Sequence, residues 1–477
     1  MRLATIVAEL NEVEMVGLGG SPSFDDLEIT DVNFDSRQVR AGSLFCCVPG
    51  VSDDGHLHAG DAVAAGAVAL LVDHRVDVDV PQLVVANVRE AMATVSATCF
   101  RHPADGLLVV GVTGTNGKTT TTWMLRNIFT AARRKSEVIG TLSGARTTPE
   151  SPDLQRRLAE WRDDGVEIVA MEVSSHAIDQ CRVDAMKFRV ALFTNLSRDH
   201  LDYHGSMEEY FETKARLFDP ERCESAVVNL DSPHGRLLAD AATVPTDGYS
   251  LDEVEELQLS VEGSTFRWMG HQISLPLGGL FNVSNALGAA HAARILGVDD
   301  ATIAKGLSLP LVVEGRFERV DAGQPFAIIV DYAHTPDGLE QLLRAAGEIV
   351  EGRVIVVFGC GGDRDPSKRS MMGETAAQRA DSVIITADNS RSESTDQIIA
   401  SIVEGVQRVS SPRASSIIVE PDRRTAISMA LRSAVNGDIV LLAGKGHETV
   451  QIIGESTTPF DDRLVAFEEW KQLEATR

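Results

Sequence analysis

Short apolar runs recur along this chain, and each gives way to a polar or glycine-rich turn before the next begins. In the first hundred residues, the runs at 43–48 and Ala67–Val72, separated by Gly and Asp turns, predict a small α/β module. From about residue 106 to 310, strand-like runs at 107–112, 166–171, 190–194 and 226–230 alternate with helical stretches. That rhythm predicts βαβ units and a mainly parallel sheet. The last third repeats it with runs at 326–330, 354–358, 383–386 and 439–443.

Ligands of open α/β sheets bind beyond the carboxyl ends of the strands. Four such ends in the last third carry Asp331-Tyr332-Ala333-His334, the turn 359–364, Asp388-Asn389-Ser390-Arg391 and Gly444-Lys445-Gly446-His447-Glu448, and these turns are its candidate site. The 477 residues exceed one ordinary core. At about 150 residues per domain they predict three, placed at 1–100, 101–312 and 313–477. Hydrophobic content of 43% and charged content of 24% are those of a soluble globular protein, and no apolar run approaches a membrane span. The N-terminus lacks a basic start and a small-residue cleavage site, so a signal peptide is not expected and the cytoplasm is. Six cysteines without a C-x-x-C pair indicate neither zinc nor a disulfide framework; they read as buried small hydrophobes. A net charge of −26 argues against nucleic acid. An anionic nucleotide must then rely on local cations such as Lys118, Arg182, Arg316 and Arg391, together with Mg²⁺.

The strongest chemical signal is Thr113-Gly114-Thr115-Asn116-Gly117-Lys118-Thr119-Thr120, between an apolar run and a helix-like segment. Glycines let backbone N–H groups close around phosphate oxygens, the lysine adds a point charge, and the hydroxyl after it can ligate Mg²⁺. ATP is the implied ligand. The strict P-loop pattern needs glycine at position 112, where this chain has Val112, so the variant T-G-T-N-G-K-T-T is the more specific signature. Glu172 ends an apolar run, where its carboxylate can hold Mg²⁺ near that loop. The next run ends in Asn195-Leu196-Ser197-Arg198-Asp199-His200-Leu201-Asp202-Tyr203-His204, which crowds histidines and aspartates at one strand end.

These segments resemble the Mur ligases, ATP-dependent amino-acid ligases of peptidoglycan stem-peptide synthesis, and among them the branch that adds the third residue. The resemblance also takes in Asp35-Ser36-Arg37, Gly42-Ser43-Leu44-Phe45, Thr147-Thr148-Pro149, the stretch 208–218, Glu314-Gly315-Arg316-Phe317-Glu318 and Ala443-Gly444-Lys445-Gly446-His447-Glu448, and so spans nearly the whole chain. It implies an α/β fold of three domains: a small N-terminal α/β domain, a central P-loop ATPase-like parallel sheet and a C-terminal Rossmann-like domain. Gly114, Thr115, Asn116, Gly117, Lys118, Thr119, Thr120, Asn282, Asn285, Arg316 and Asp331 would surround ATP. Lys118, Glu172, His200 and Lys214 would be catalytic, with Thr119, Glu172, His200 and Lys214 about Mg²⁺. Lys214, a surface helix residue by its sequence position alone, matches the lysine that the family carbamoylates with CO₂. Ser36, Thr147, Thr148, Ser175, Gln180 and Arg182 would meet the UDP-N-acetylmuramoyl dipeptide, and Arg369, Asp388, Asn389, Arg391, Gly444 and Glu448 the incoming amino acid. A monomer, with neither nucleic acid nor membrane as partner, is expected.

The resemblance implies that the substrate carboxylate attacks the γ-phosphate to form an acyl phosphate, which an amine then displaces. Synthetases adding meso-diaminopimelate carry Asp-Asn-Pro-Arg where this chain has Asp388-Asn389-Ser390-Arg391. Serine frees φ without removing a charged contact, so diaminopimelate is expected ahead of lysine. A second departure is the short segment 142–146, where relatives carry a longer insertion. The rivals are a lysine-adding ligase, a non-catalytic paralogue and folylpolyglutamate synthetase, the last lacking Thr147-Thr148-Pro149 and the Asp388–Arg391 turn.

Overall fold

The computed structural model describes residues 1–17, 26–50 and 53–476. Three sheets of predominantly parallel strands follow one another along the chain. The first has the order Glu14–Val16, Gln82–Val84, Ala67–Val72, Ser43–Cys46, Asp31–Asn33, with only the Glu14–Val16 edge antiparallel. Alternation along the strands sends Leu44, Cys46, Ala69 and Leu71 to one face, against helix Val88–Cys99, and Phe45, Cys47, Leu70 and Val72 to the other.

The central sheet runs Thr246–Tyr249, Ala226–Asn229, Val190–Phe193, Leu108–Thr113, Ile168–Glu172, Ser136–Ile139, parallel throughout. Leu108–Thr113 is followed by Ile168–Glu172 on one side and Val190–Phe193 on the other, so the loop that leaves it opens at the switch in strand order, where a crevice forms. Helices Lys118–Ala131 and Leu280–Ile295 cover one face, through Met124, Leu125, Ile128, Val283 and Leu287. Helix Ser151–Asp163 covers the other, through Leu154 and Leu158. An antiparallel unit of Glu255–Leu259, Ser264–Trp268 and His271–Leu275, which the apolar pattern does not predict, is appended here.

The last sheet has the order Glu318–Arg319, Ala327–Asp331, Ile439–Ala443, Val354–Phe358, Ser382–Ile385, Ser416–Val419, parallel except at the Glu318–Arg319 edge. Its inner strands are apolar on both sides because helices pack on both faces: Val356, Phe358 and Leu441 point to one core, Ile355, Val357, Val440 and Leu442 to the other. Each such side chain stabilises the domain by about 1.5–3 kcal/mol, so these strands are rigid supports for the turns they carry. Cys46, Cys47, Cys223 and Cys360 are buried as expected, while Cys99 and Cys181 are half-buried. Among the described residues no helix is long and apolar enough to cross a membrane.

Candidate active site

Strand Leu108–Thr113 delivers the chain into residues 114–117, and helix Lys118–Ala131 starts at once. Gly114 has φ +146° and Gly117 φ +87°. A Cβ at Gly114 would lie 2.0 Å from Thr194 Oγ1, and one at Gly117 2.3 Å from Asn285 Oδ1, so both the conformation and the room demand glycine. The loop is braced from the next strand end: Asn116 N donates to Asn195 Oδ1 at 2.9 Å, and Thr194 Oγ1 to Asn116 O at 2.6 Å. Its free N–H groups sit at the positive end of the helix, ready for phosphate.

Two lysines converge on this loop. Lys118 Nζ donates to the carbonyls of Gly114 and Thr115, at 2.8 Å each, and Lys214 Nζ donates to the same Gly114 carbonyl at 3.0 Å. Lys214 is only 1% exposed, which corrects its reading as a surface residue. Helix Met207–Ala215 turns it inward beneath the loop, over the ring of Tyr210 at 4.6 Å. Burial pushes the Lys214 amine well below its ordinary range and the charge of Lys118 adds to the effect. Lys118 is lowered too, by burial first, with Glu172 opposing.

Glu172, the last residue of strand Ile168–Glu172, is 1% exposed and accepts from Thr119 Oγ1 at 3.0 Å, Thr141 N at 2.9 Å and Thr141 Oγ1 at 3.2 Å. Its partners are thus neutral donors. A buried carboxylate without a paired cation among the described residues, beside a threonine hydroxyl, fits a divalent cation with oxygen ligands. His200 holds a left-handed conformation, φ +54°, with Nε2 3.3 Å from Asp199 and its ring edge-on to His176 at 4.8 Å. Burial lowers its basicity; His176, Lys118 and Lys214 reinforce this against the pull of Asp199, so the imidazole is neutral and has a lone pair to offer. Thr120 is buried in the first helical turn.

The ATP-side residues of the last domain arrive through Arg316. Its guanidinium lies over the Tyr332 ring at 4.4 Å, and Nη2 reaches Thr119 Oγ1 at 3.5 Å, while Nε is buried with no hydrogen-bond partner among the described residues. Asp331 accepts from Phe317 N at 2.7 Å and Ala333 N at 2.8 Å, and so fixes the turn that bears Arg316. Asn282 and Asn285 are buried neighbours on one helix, joined at 3.3 Å.

A cavity of about 940 Å³ lies between the first and central domains. Ser36 lines it together with Asp35, Arg37, Phe45, Arg146 and Glu150. Behind this wall Arg182 donates to Thr148 O at 2.9 Å and Gln180 Oε1 at 2.6 Å, and pairs with Glu150 at 3.0 Å. Thr148 Oγ1 donates to Glu172 O, linking the wall to the strand end that carries Glu172. Thr147 meets Thr141, and Ser175 meets His204 Nε2 at 2.8 Å. Of the six expected UDP-substrate residues only Ser36 lines the cavity; Thr148, Gln180 and Arg182 are tied to one another and to its wall residue Glu150, whereas Thr147 and Ser175 make their contacts with Thr141 and His204.

A second cavity, of about 200 Å³, is lined jointly by Asp199, His200 and Asp202 of the central domain and by Tyr332, His334, Gly361, Arg364, Asp365, Lys368, Asp388, Asn389, Arg391, Gly444 and Glu448. Asn389 organises it: Nδ2 donates to Glu448 Oε2 at 2.7 Å, and Oδ1 accepts from Ile452 N at 2.9 Å and from buried Lys445 at 3.4 Å. Ser390 accepts from Thr395 Oγ1 at 3.0 Å, which holds the turn where proline would have fixed it. Arg391, at φ +49°, donates to Gly362 O at 2.7 Å. Arg369 stands apart from this lining. Both its Nη groups are committed to Glu393, at 2.9 and 2.8 Å, and Arg364 takes the place on the wall expected of it. The signal for Arg364 was its position at the end of the glycine-rich turn 359–364.

Residues 28–99 match the family description "Mur ligase family, catalytic domain", residues 112–293 "Mur ligase middle domain" and residues 315–446 "Mur ligase, glutamate ligase domain". The chain is similar to the UDP-N-acetylmuramoyl-L-alanyl-D-glutamate--2,6-diaminopimelate ligase of Geobacillus kaustophilus, with 43% identity covering 98% of each chain. The chain belongs to the Mur ligase family. A relative of the same name from Syntrophomonas wolfei is 42% identical over 93% of this chain and 95% of its own. Among solved structures, one under that same name aligns at 31% identity and a TM-score of 0.67, covering 96% of this chain and 98% of the other. The MurF ligase of Thermotoga maritima in complex with ADP shares the fold alone, at 21% identity and a TM-score of 0.66, over 95% of this chain and 100% of the other. This Mur ligase thus sets its nucleotide loop at the centre of the molecule, with one cavity towards each neighbouring domain.

Proposed function

We propose that this Mur ligase joins meso-diaminopimelate to UDP-N-acetylmuramoyl-L-alanyl-D-glutamate at the expense of ATP, as a cytoplasmic step of peptidoglycan synthesis. The observation that carries the substrate reading is the 200 Å³ cavity. Arg364 and Arg391 line it with no carboxylate within 4.0 Å among the described residues, while Asp388 and Glu448 face them. Diaminopimelate carries two ammonium and two carboxylate groups, and this wall offers both signs of charge to match. Lysine lacks the second carboxylate and leaves a guanidinium unmatched.

The chemistry follows from the parts. The free carboxylate of the dipeptide attacks the γ-phosphorus; the P–O bond to ADP breaks and an acyl phosphate forms. Lys118, once drawn from its loop carbonyls to phosphate oxygens, and Arg316 offset the charge that develops. The amine of the bound amino acid, held across the central–terminal boundary beside His200, then attacks the acyl carbon. The C–O bond to phosphate breaks, inorganic phosphate leaves and the amine proton goes to solvent. Mg²⁺, held by Thr119, Glu172, His200 and a carbamoylated Lys214, would neutralise phosphate charge when bound. The Lys214 site suits that modification, because a buried amine with lowered proton affinity is the nucleophilic form that CO₂ requires.

Phosphate release by the purified protein with ATP, Mg²⁺ and the UDP-muramoyl dipeptide, across a panel of amino acids, tests the reading. Release should depend on meso-diaminopimelate. Equal use of L-lysine overturns the substrate assignment, and release with no amino acid in the panel overturns the ligase reading itself.

A further inference from the structure

Most cations on the wall of the 940 Å³ cavity are already neutralised. Arg37 pairs with Asp35 at 2.7 Å, Arg156 with Asp31 at 2.9 Å and Asp153 at 2.8 Å, and His58 with Asp53 at 3.0 Å. Arg89 and Arg146 both pair with Glu150. Arg157 differs: among the described residues no carboxylate lies within 4.0 Å of it. Its guanidinium donates to Ser143 O at 3.4 Å and lies over the Trp161 ring at 5.8 Å. Glu150, only 4% exposed, is shared by three arginines, the third being Arg182. Glu150 thus serves Arg89 and Arg146 on the wall and Arg182 behind it, and Arg157 is left as the arginine of this wall with no carboxylate partner among the described residues.

The short segment 142–146 makes this arrangement. It brings Gly144, Ala145 and Arg146 to the cavity edge, and Arg157 holds it through the Ser143 carbonyl. We infer that Arg157, with Arg146 beside it, grips the diphosphate of the nucleotide-linked substrate and sets its position in the cavity. This rests on the reading of the cavity as the UDP-substrate site. A planar guanidinium whose one recorded hydrogen bond is a long one to Ser143 O keeps donors for phosphate oxygens, and its place near the Trp161 ring limits the freedom that must be lost on binding.

Equilibrium binding of UDP to the full-length protein, measured against salt concentration, tests it. Arg157→Ala should weaken UDP by about tenfold or more and flatten the salt dependence, because one charge-assisted contact to phosphate is gone. Arg157→Lys should recover part of both. In turnover the KM for the UDP-muramoyl dipeptide should rise while kcat and the KM for ATP stay. Unchanged UDP affinity in Arg157→Ala overturns the inference, and so does a loss that leaves the salt dependence as it was, since that marks mere support of the wall. Failure of the wild type to bind UDP would overturn the placement of the nucleotide, and this inference with it.

Discussion

At the scale of single residues, the defining contact is one carbonyl oxygen, that of Gly114, shared by the amines of Lys118 and Lys214. Burial and the neighbouring charge of Lys118 both disfavour a second cation at Lys214. Converting Lys214 to a carbamate turns that conflict into attraction for Lys118 and adds an anionic oxygen beneath the loop. Lys214→Ala should therefore fold yet lose about 10³-fold or more in kcat, and wild-type activity should fall on CO₂ depletion and return with bicarbonate. A fully active, CO₂-depleted enzyme removes the carbamate from the account. The substrate cavity makes a comparable claim on Arg391. Arg391→Ala should lower kcat/KM for diaminopimelate by roughly ten- to 150-fold, the worth of a hydrogen bond to a charged group, with the KM for ATP little changed. Competition between lysine and diaminopimelate checks it: an unchanged preference would place the specificity elsewhere, with Arg364 the next candidate. Single residues were also where reading the sequence reached its limit. The loop motif names Lys118 because spacing alone fixes its place, whereas the burial of Lys214 depends on which face of a helix meets the loop. That Arg369 is engaged elsewhere depends on Glu393, 24 positions along the chain and invisible as a partner until the fold forms.

At the scale of elements, the parallel strands were legible because burial on both faces writes them as continuous apolar runs. The antiparallel unit 255–275 was not, since Glu255–Leu259 is largely exposed and mostly polar, and its packing is supplied by Phe266, Trp268, Ile273 and Leu275 against the central helices. What fastens that unit is a buried histidine. His291 of helix Leu280–Ile295 meets Asp247 of strand Thr246–Tyr249 at 2.8 Å and Glu253 at 2.8 Å, and Glu253 also accepts from Trp268 Nε1 at 3.2 Å. Burial opposes charge on His291, but its hydrogen bonds to both carboxylates outweigh it and its proton affinity is raised. The folded state then holds a proton that the unfolded chain releases first. The stabilisation is fully present below the ordinary histidine value of about 6.5 and is lost as pH rises through the raised one. Thermal unfolding of wild type and His291→Gln, compared at pH 6 and pH 8, should show the difference in Tm between them shrinking at the higher pH. A difference that stays constant or grows would mean His291 is neutral in the fold.

At the scale of the whole molecule, the last domain is held against the nucleotide loop by polar contacts: Asn116 Nδ2 to Asp337 Oδ2 at 3.1 Å, Arg198 Nη2 to Ser367 Oγ at 2.7 Å, Asp199 to His334 at 3.8 Å, and Arg316 to Thr119. Each joins a side chain of the nucleotide loop or the 195–204 strand end to one on the last domain, so phosphate arriving at the loop competes for or strengthens the same groups. Such contacts are easily exchanged, and the amino-acid cavity is complete only when both domains contribute to it. Binding of nucleotide should therefore draw the last domain inward, with Arg316 as the side chain that passes from Thr119 to phosphate. Small-angle scattering should report a smaller radius of gyration with Mg²⁺, an unreactive ATP analogue and the UDP-muramoyl dipeptide than without them. Arg316→Ala should abolish that compaction and lower kcat by about 10²-fold, the scale expected when two reactants are no longer held in line. An identical radius with and without ligands would mean that the domains are already set for catalysis. A full compaction in Arg316→Ala would instead transfer the closing role to Asn116 and Arg198.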